Sequence, residues 1–261
     1  MNICLVSPAW RRFDVTRFVL AQRRWLCDEL ASRGHQATGI VVADDENLDI
    51  AAEYGFDTVE APNDDLGRRF NDGYQRAGEL GADVLVHIGS DDWVHPDAFN
   101  ILDEVDPNAD PELKFDGSVV RNSPVCIAQR NITLVNLPTN ELQRCNVAGD
   151  YGCPPWLIPR RAMEPIGFRP IAEIGMMRGI DGLLVRGLTT RPNWLRRLVP
   201  PEWCVDFKSD VNVTHYAGLK AKLGTGPAVE PWPALAEHYP QHLVDMARGI
   251  CEGGDGSWTG S

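Results

Sequence analysis

In the stretch "HIGSDDWVHP", residues 87–96, two adjacent carboxylates, Asp91 and Asp92, follow an apolar run and are trailed by Trp93 and His95. Paired carboxylates at a strand tip can hold a hard divalent cation, which prefers oxygen ligands and commonly bridges to substrate phosphates. The same residues also fit a plain helix start, with Asp97 capping the helix that Pro96 opens. Two other strand-like runs end in polar groups: "VSPAW" delivers Ser7, Pro8, Ala9 and Trp10, and "VVADDE" delivers Asp44, Asp45 and Glu46. An open parallel sheet binds its ligand at the carboxyl edge of its strands, so these three tips are expected to converge. Other nucleotide-binding devices are missing from the sequence. The turn after the first strand, "SPAWRR", has no glycine to admit a dinucleotide, and there is no Walker loop, no G-x-S-x-G and no H-E-x-x-H.

The elements that must carry these residues alternate between strand and helix periods. "NICLVS" reads as a short buried strand. Asp14 reads as the N-cap of a helix whose apolar stripe runs Val15, Phe18, Val19, Trp25, Leu26, Leu30 and stops at Gly34. A second strand spans 36–43, a short helix runs from Leu48 to Tyr54 and ends at Gly55, and "DTVEA" is a third strand. A helix from Leu66 to Leu80 closes at Gly81, and "DVLVHI" is the fourth strand, which delivers Asp91 and Asp92. This alternation is the signature of a parallel sheet with crossover helices. Beyond about residue 105 the pattern becomes Pro-rich and irregular. It holds strand-like runs around Val119 and at "NITLVNL", a helix candidate from Gly179 to Gly187, and a linker over 225–233 with Pro227, Pro231 and Pro233. A last helix runs near His238 to Ile250, before a frayed tail.

The chain has 261 residues, 43% of them hydrophobic, enough for one large domain or two small ones. Seven cysteines without a C-x-x-C suit reduced, buried thiols better than a disulfide frame or a zinc site. No run of about 18 apolar residues could span a bilayer, and the N-terminus lacks the pattern of a secretion signal, so a cytoplasmic protein without integral membrane association is expected. The net charge of −12 disfavours a polyanionic partner. Its distribution is uneven, however: between Trp156 and Pro200 stand eight arginines, from Arg160 to Arg197, against Glu164, Glu173 and Asp181. Such a run is either a set of solvated faces or a surface for phosphates.

"ADVLVHIGSDDWVHPDAFNIL" resembles the segment of glycosyltransferase family 2 in which a strand leads into an Asp-rich metal motif and a helix start. The likeness continues in order over about residues 2–218. "VSPAW" is similar to the family's opening strand and Pro-x-aromatic turn, "VVADDE" to its second strand, and "GRRFNDGYQRAGELGAD" to its G-x-x-x-N-x-G helix. "WLIPRRAMEPIGF" is similar to its acceptor-side strand and "GIDGLLVRGL" to its catalytic Asp helix. The resemblance implies a GT-A fold, an α/β architecture with a Rossmann-like, mostly parallel central sheet flanked by helices. Residues 1–105 would form the nucleotide-sugar half and 106–220 the acceptor half of one domain, with 221–261 a linker, a C-terminal helix and a flexible tail.

It also implies a metal-dependent inverting glycosyltransferase that moves a sugar from a nucleotide-diphosphate donor to an acceptor hydroxyl on a protein, a modified DNA base or a glycan, as phage-type enzymes do, with Mn or Mg as cofactor. Residue by residue, Pro8 and Trp10 of the first turn would bind the donor, with Trp10 against the base, and Asp44 would accept from a pyrimidine N–H, with Asp45 as the alternative. Arg68 or Arg69 would reach base or phosphate. Asp91 would hold the metal, Asp92 would serve ribose or metal, His215 would be a third ligand, and Asp181 the general base. The sequence departs from the family at Gly89, where the first Asp is usual, at Ile180, where Glu is usual, and at Phe70, where Arg is usual. Two rivals keep the fold: a non-catalytic nucleotide- or carbohydrate-binding module, and a sugar nucleotidylyltransferase, whose glycine-rich loop "SPAWRRFD" lacks.

Overall fold

A computed structural model describes residues 1–102, 113–115, 118–120, 125–146, 153–173, 175, 180–189, 195–199, 204–209 and 216–252. The first part alternates as predicted: β1 (Asn2–Pro8), α1 (Phe13–Ser32), β2 (Gln36–Ala43), α2 (Asn47–Glu53), β3 (Asp57–Glu60), α3 (Leu66–Glu79) and β4 (Val84–His87). There follow β5 (Asp92–Val94), a 3₁₀ turn (Pro96–Phe99), β6 (Leu113–Phe115), β7 (Ser118–Val120), β8 (Val125–Gln129), β9 (Asn131–Asn136), β10 (Glu141–Asn146), β11 (Cys153–Pro159) and α4 (Arg160–Met163). The described chain ends with α5 (Ile180–Thr189), β12 (Leu195–Val199), β13 (Cys204–Lys208), α6 (Tyr216–Leu223), α7 (Pro231–Ala236) and α8 (Gln241–Cys251).

Seven strands form the central sheet in the order β12-β8-β11-β4-β1-β2-β3. It is parallel except at β11, which runs antiparallel to both β4 and β8. Both faces are covered, which is why its strands read as near-continuous apolar runs. On β1, Ile3 and Leu5 pack with Leu26 and Leu30 of α1, while Cys4 and Val6 pack with Phe70, Tyr74 and Ala77 of α3. A second sheet, β10-β9-β13-β5, packs Trp93 and Phe207 against Phe18 of α1.

Helix α3 lies unusually close to the sheet. A Cβ on Gly73 would stand 2.5 Å from Val6 Cγ1 and 2.9 Å from Val42 Cγ2, so only glycine permits this approach. Gly73→Ala is expected to lower the unfolding free energy by about 1–3 kcal/mol, the usual cost of overpacking a filled core. Urea denaturation reads this directly, and an unchanged midpoint would mean that α3 sits more loosely.

Three local expectations give way to the tertiary structure. Asp14 is not the cap of α1: the helix starts at Phe13, and its N-cap is Arg12 in the left-handed region (φ 52°, ψ 48°) without a side-chain cap. The chain must turn sharply out of β1, and it does so through Arg11 and Arg12, both at positive φ, which leaves Asp14 in the first turn where it favours the helix dipole. Asp97 likewise does not cap the turn after Pro96; the His95 ring does, its Nδ1 accepting from the Asp97 backbone N–H at 3.2 Å. The predicted linker over 225–233 runs into α7, which Pro231 opens, and buries Trp232 and Leu235 against Phe18, Val19, Leu243 and Val244. No disulfide joins any of the seven cysteines, and six of them are buried, as the reduced-thiol reading expects. Burial pushes the Cys4 and Cys27 thiols up to about 12. No helix among the described residues is long and apolar enough to cross a membrane.

Candidate active site

Strand order reverses at β1, which has β2 on one side and β4 on the other, and the carboxyl ends of these strands open the crevice where such sheets bind ligands. Pro8 ends β1, buried and paired with Val42. Trp10, just beyond it, is 38% exposed, with the Arg11 guanidinium 4.5 Å above its ring. With Arg11 on one face, the partly exposed ring has its other face to offer to a planar ligand. From the end of β2, Asp44 is exposed and accepts from the Asn63 backbone N–H at 2.8 Å. Asp45 is committed to the loop itself, accepting from the backbone N–H groups of Arg11 (2.8 Å) and Asn47 (3.0 Å).

The two arginines of α3 part company. Arg68 is a surface residue paired with Asp64 at 3.7 Å and Asp72 at 3.8 Å. Arg69 is buried, and its Nη2 donates to the backbone carbonyls of Ala9 and Val42 (2.5 Å to the latter) while Nη1 donates to Asn63 Oδ1 at 2.7 Å. These bonds tie the ends of β1 and β2 together. Arg69 thus braces the crevice from behind through these bonds, and of the two arginines expected at base or phosphate Arg68 is the one left at the surface.

Asp91 and Asp92 are joined by a carboxylate the sequence reading did not single out. Asp206 of β13 pairs directly with Asp92 of β5, and one oxygen from each of Asp91, Asp92 and Asp206 lies within 4.8 Å of the others. Gly89 is explained by this arrangement. Its N–H donates to Asp92 Oδ2 at 2.7 Å, and a Cβ there would stand 2.7 Å from that oxygen, so the space of a side chain at 89 belongs to Asp92. The third carboxylate, absent at position 89, arrives from a distant strand.

Charge is dense here. Burial, with Asp206 and Asp91 adding, pushes the Asp92 carboxyl well above the usual range. Burial also raises Asp206, to about 6, although Lys208 pulls it back. Lys208 Nζ lies 2.6 Å from Asp206 Oδ2 and 3.6 Å from Asp91 Oδ2, and Arg12 Nη1 lies 3.2 Å from the same Asp91 oxygen. Burial alone would lower the Lys208 ammonium; Asp206 and Asp91 more than offset it and hold it above its ordinary value. Arg23, brought down to about 10 by burial and held up in part by Asp92 and Asp91, donates to the Gly89 carbonyl.

The donor set itself suits a hard divalent ion: three carboxylates, with Asp206 Oδ1 buried and without a hydrogen-bond partner. His215, expected as a further ligand, lies outside the described residues.

Asp181 sits in the first turn of α5 and is held from two sides. Trp156 Nε1 donates to its Oδ1 at 3.2 Å, and His87 Nε2 stands 3.4 Å from the same oxygen. His87 and Trp156 face each other across the β4–β11 pairing, at the carboxyl end of β4. His87 is buried, stacked on Phe70 at 4.0 Å, and its Nδ1 is hydrogen-bonded to the Tyr74 hydroxyl. Burial, with Asp181 adding, pushes that phenol well above its usual range. A carboxylate only accepts, so the Nε2 that faces Asp181 carries the ring proton, Nδ1 accepts and the Tyr74 hydroxyl donates. Phe70 is thus the platform of this histidine. None of Tyr74, His87 or Trp156 was legible as a site residue, although "VLVHI" placed a polar side chain inside an apolar run.

The two groups of acids flank one strand end: His87 at the end of β4 faces Asp181, and two residues further on the Gly89 N–H donates to Asp92. The buried Cys153 thiol is pushed up by burial and then by Asp181, Asp92 and Asp206 together. His95 belongs elsewhere: it lies past the far end of β5, in a separate cavity of about 260 Å³ shared with His238 and Tyr239. The basic run is partly spent on local pairs. Arg160 binds the carbonyls of Gly78 and Ala82 and pairs with Glu164, and Arg169 pairs with Asp72 and Glu173.

No protein family model and no curated protein sequence matches the chain. Solved structures do. S. aureus TarS 1–349 in complex with UDP is 12% identical over 80% of this chain and 61% of that one, with a TM-score of 0.50. A second structure of S. aureus TarS 1–349 is 10% identical over 99% of this chain and 73% of that one, with a TM-score of 0.51. A glycosyltransferase involved in the glycosylation of the major capsid of PBCV-1 is 13% identical over 85% of this chain and 98% of that one, with a TM-score of 0.43. The chain spans about three fifths of the first of these structures. At such identities the likeness to TarS concerns architecture, and together with the mostly parallel central sheet flanked by helices it makes this a protein of the GT-A fold.

Proposed function

We propose that the protein transfers a sugar from a nucleoside-diphosphate donor to an acceptor hydroxyl, with inversion at the anomeric carbon. The observation that supports this reading best is the neighbourhood of two unlike acidic groups. One, Asp91, Asp92 and Asp206, is interleaved with cations, and the other, Asp181, is a half-exposed carboxylate held by Trp156 and His87. The first suits a leaving diphosphate and the second an attacking hydroxyl. In this reading Trp10 stacks on the base and Asp44 accepts from it, and Arg12 at the rim meets the diphosphate. A divalent ion, when bound, would be held by Asp91, Asp92 and Asp206 and would supply neutralisation of the diphosphate charge.

Asp181 takes the proton of the acceptor hydroxyl as its oxygen bonds to the anomeric carbon. The bond from that carbon to the diphosphate breaks on the opposite face, and the nucleoside diphosphate leaves with its electron pair. A single displacement of this kind inverts the configuration. Residues 1–105 would form the donor half and 106–220 the acceptor half. Arg160 and Arg169 are paired with carboxylates, so a nucleic-acid acceptor would have to draw them out of those pairs.

The test is a thermal-shift screen of nucleoside diphosphates, followed by incubation with the matching sugar nucleotides and NMR of the released or transferred sugar. A raised melting temperature and a product of inverted configuration are expected. If no nucleoside diphosphate binds and no donor is consumed, the reading is wrong. Trp10→Ala is expected to weaken nucleoside diphosphate binding by about 1–3 kcal/mol, the usual worth of a base–aromatic stack, with Trp10→Phe retaining most of it in calorimetry.

A further inference from the structure

The three carboxylates of the cluster already face a cation from their own chain. Asp206 and Lys208 stand two apart on β13, and alternate residues of a strand point to the same side, so the strand that delivers the third carboxylate also delivers an ammonium to it. Lys208 is buried, with Nζ between Asp206 Oδ2 at 2.6 Å and Asp91 Oδ2 at 3.6 Å. Arg12 closes the outer side, Nη1 on Asp91 and Nη2 2.6 Å from Ser90 Oγ, and Arg23 closes the inner side through the Gly89 carbonyl. Two cations, Lys208 and Arg12, are thus already paired with these carboxylates, and Arg23 backs them through the Gly89 carbonyl. A divalent ion drawing on the same oxygens would meet the Lys208 ammonium at contact distance, and two cations that close repel strongly in a buried setting.

We propose that Lys208 is the resident cation of this site, occupying the place a divalent ion would take, so that a diphosphate binds over Lys208 and Arg12 without a metal. The proposal rests on the donor reading given above. It makes metal and lysine competitors: the buried Asp206 Oδ1 is open to an ion, but the other Asp206 oxygen and Asp91 are engaged by the ammonium.

The probes are Mn²⁺ alone, followed by the electron paramagnetic resonance signal of the free ion, and inorganic pyrophosphate in excess EDTA, followed by calorimetry on the full chain at low salt. The wild-type protein is expected to take up Mn²⁺ only in the millimolar range and to bind pyrophosphate in EDTA. Lys208→Met is expected to bind Mn²⁺ at least tenfold more tightly, to lose pyrophosphate binding in EDTA and to regain it when Mn²⁺ is supplied. Micromolar uptake of Mn²⁺ by the wild-type protein, or pyrophosphate binding that needs Mn²⁺, overturns the proposal. Both wild-type arms decide the matter even where Lys208→Met does not fold. Pyrophosphate binding in EDTA without any sugar transfer counts against the transferase reading alone. Transfer that EDTA abolishes and Mn²⁺ restores counts against Lys208 alone.

Discussion

Asp181→Asn is expected to lower kcat by about 10²- to 10⁴-fold, the usual worth of a positioned general base, while donor affinity stays within about twofold. The substitution is informative because the surroundings survive it. An amide oxygen at the position of Oδ1 still accepts from Trp156 Nε1, and the His87 Nε2–H still faces it, so shape and hydrogen bonding are kept and only the ability to take a proton is lost. Single-turnover measurement under saturating donor separates this loss of chemistry from any change in binding. A variant with full turnover would remove Asp181 from the reaction. A variant that loses donor binding as well would show that Asp181 serves the donor and not the acceptor hydroxyl.

The sheet edge that carries Trp10, Asp44, Asp91 and Asp92 was largely legible in the sequence, and the reason is local. The first four strands and three helices announce themselves by periodicity, and each strand of a parallel sheet buried on both faces ends abruptly in polar residues. Trp10, Asp44, Asp91 and Asp92 are therefore placed at one edge by connectivity alone. Arg69 shows the limit of that reasoning. It lies one residue, about 100° round the axis, from a surface arginine of the same helix, and shares its face with Gly73 four residues on, whose close approach to the sheet carries Arg69 under the strand ends.

What the sequence did not yield depends on pairings between distant strands. Asp206 and Lys208 enter the site because β13 pairs with β5, and Trp156 meets His87 because β11 inserts antiparallel between β4 and β8. No spacing within the chain encodes either register. The two mistaken caps have a related cause. Asp14 and Asp97 are good capping residues by type, yet the path of the chain out of β1 and the ring of His95 had already filled those roles.

Arg69→Met carries the other large effect, and it falls on stability. The methionine fills much of the same volume, but it leaves the buried Ala9 carbonyl without its donor and deprives Val42 of one of two, since Val42 O also accepts from the Ala9 N–H at 2.9 Å. Leaving a buried acceptor that had a charged partner unsatisfied costs about 1–3 kcal/mol, and the lost bond to Asn63 adds to it, so a total of about 2–4 kcal/mol is expected in urea denaturation. Burial already works against the charged guanidinium, with Asp44, Asp45 and Asp64 offsetting that penalty. Lys has no planar fork, so a single ammonium could not reproduce the two-nitrogen grip on Ala9, Val42 and Asn63. The two roles conceivable for Arg69 separate cleanly. As a clasp, its loss lowers the unfolding midpoint and weakens nucleotide binding only through the displaced Trp10 turn, with no change in the salt dependence of binding. As a phosphate ligand, its loss would leave the midpoint unmoved and flatten that salt dependence; the hydrogen bonds to Ala9 and Val42 predict the first outcome.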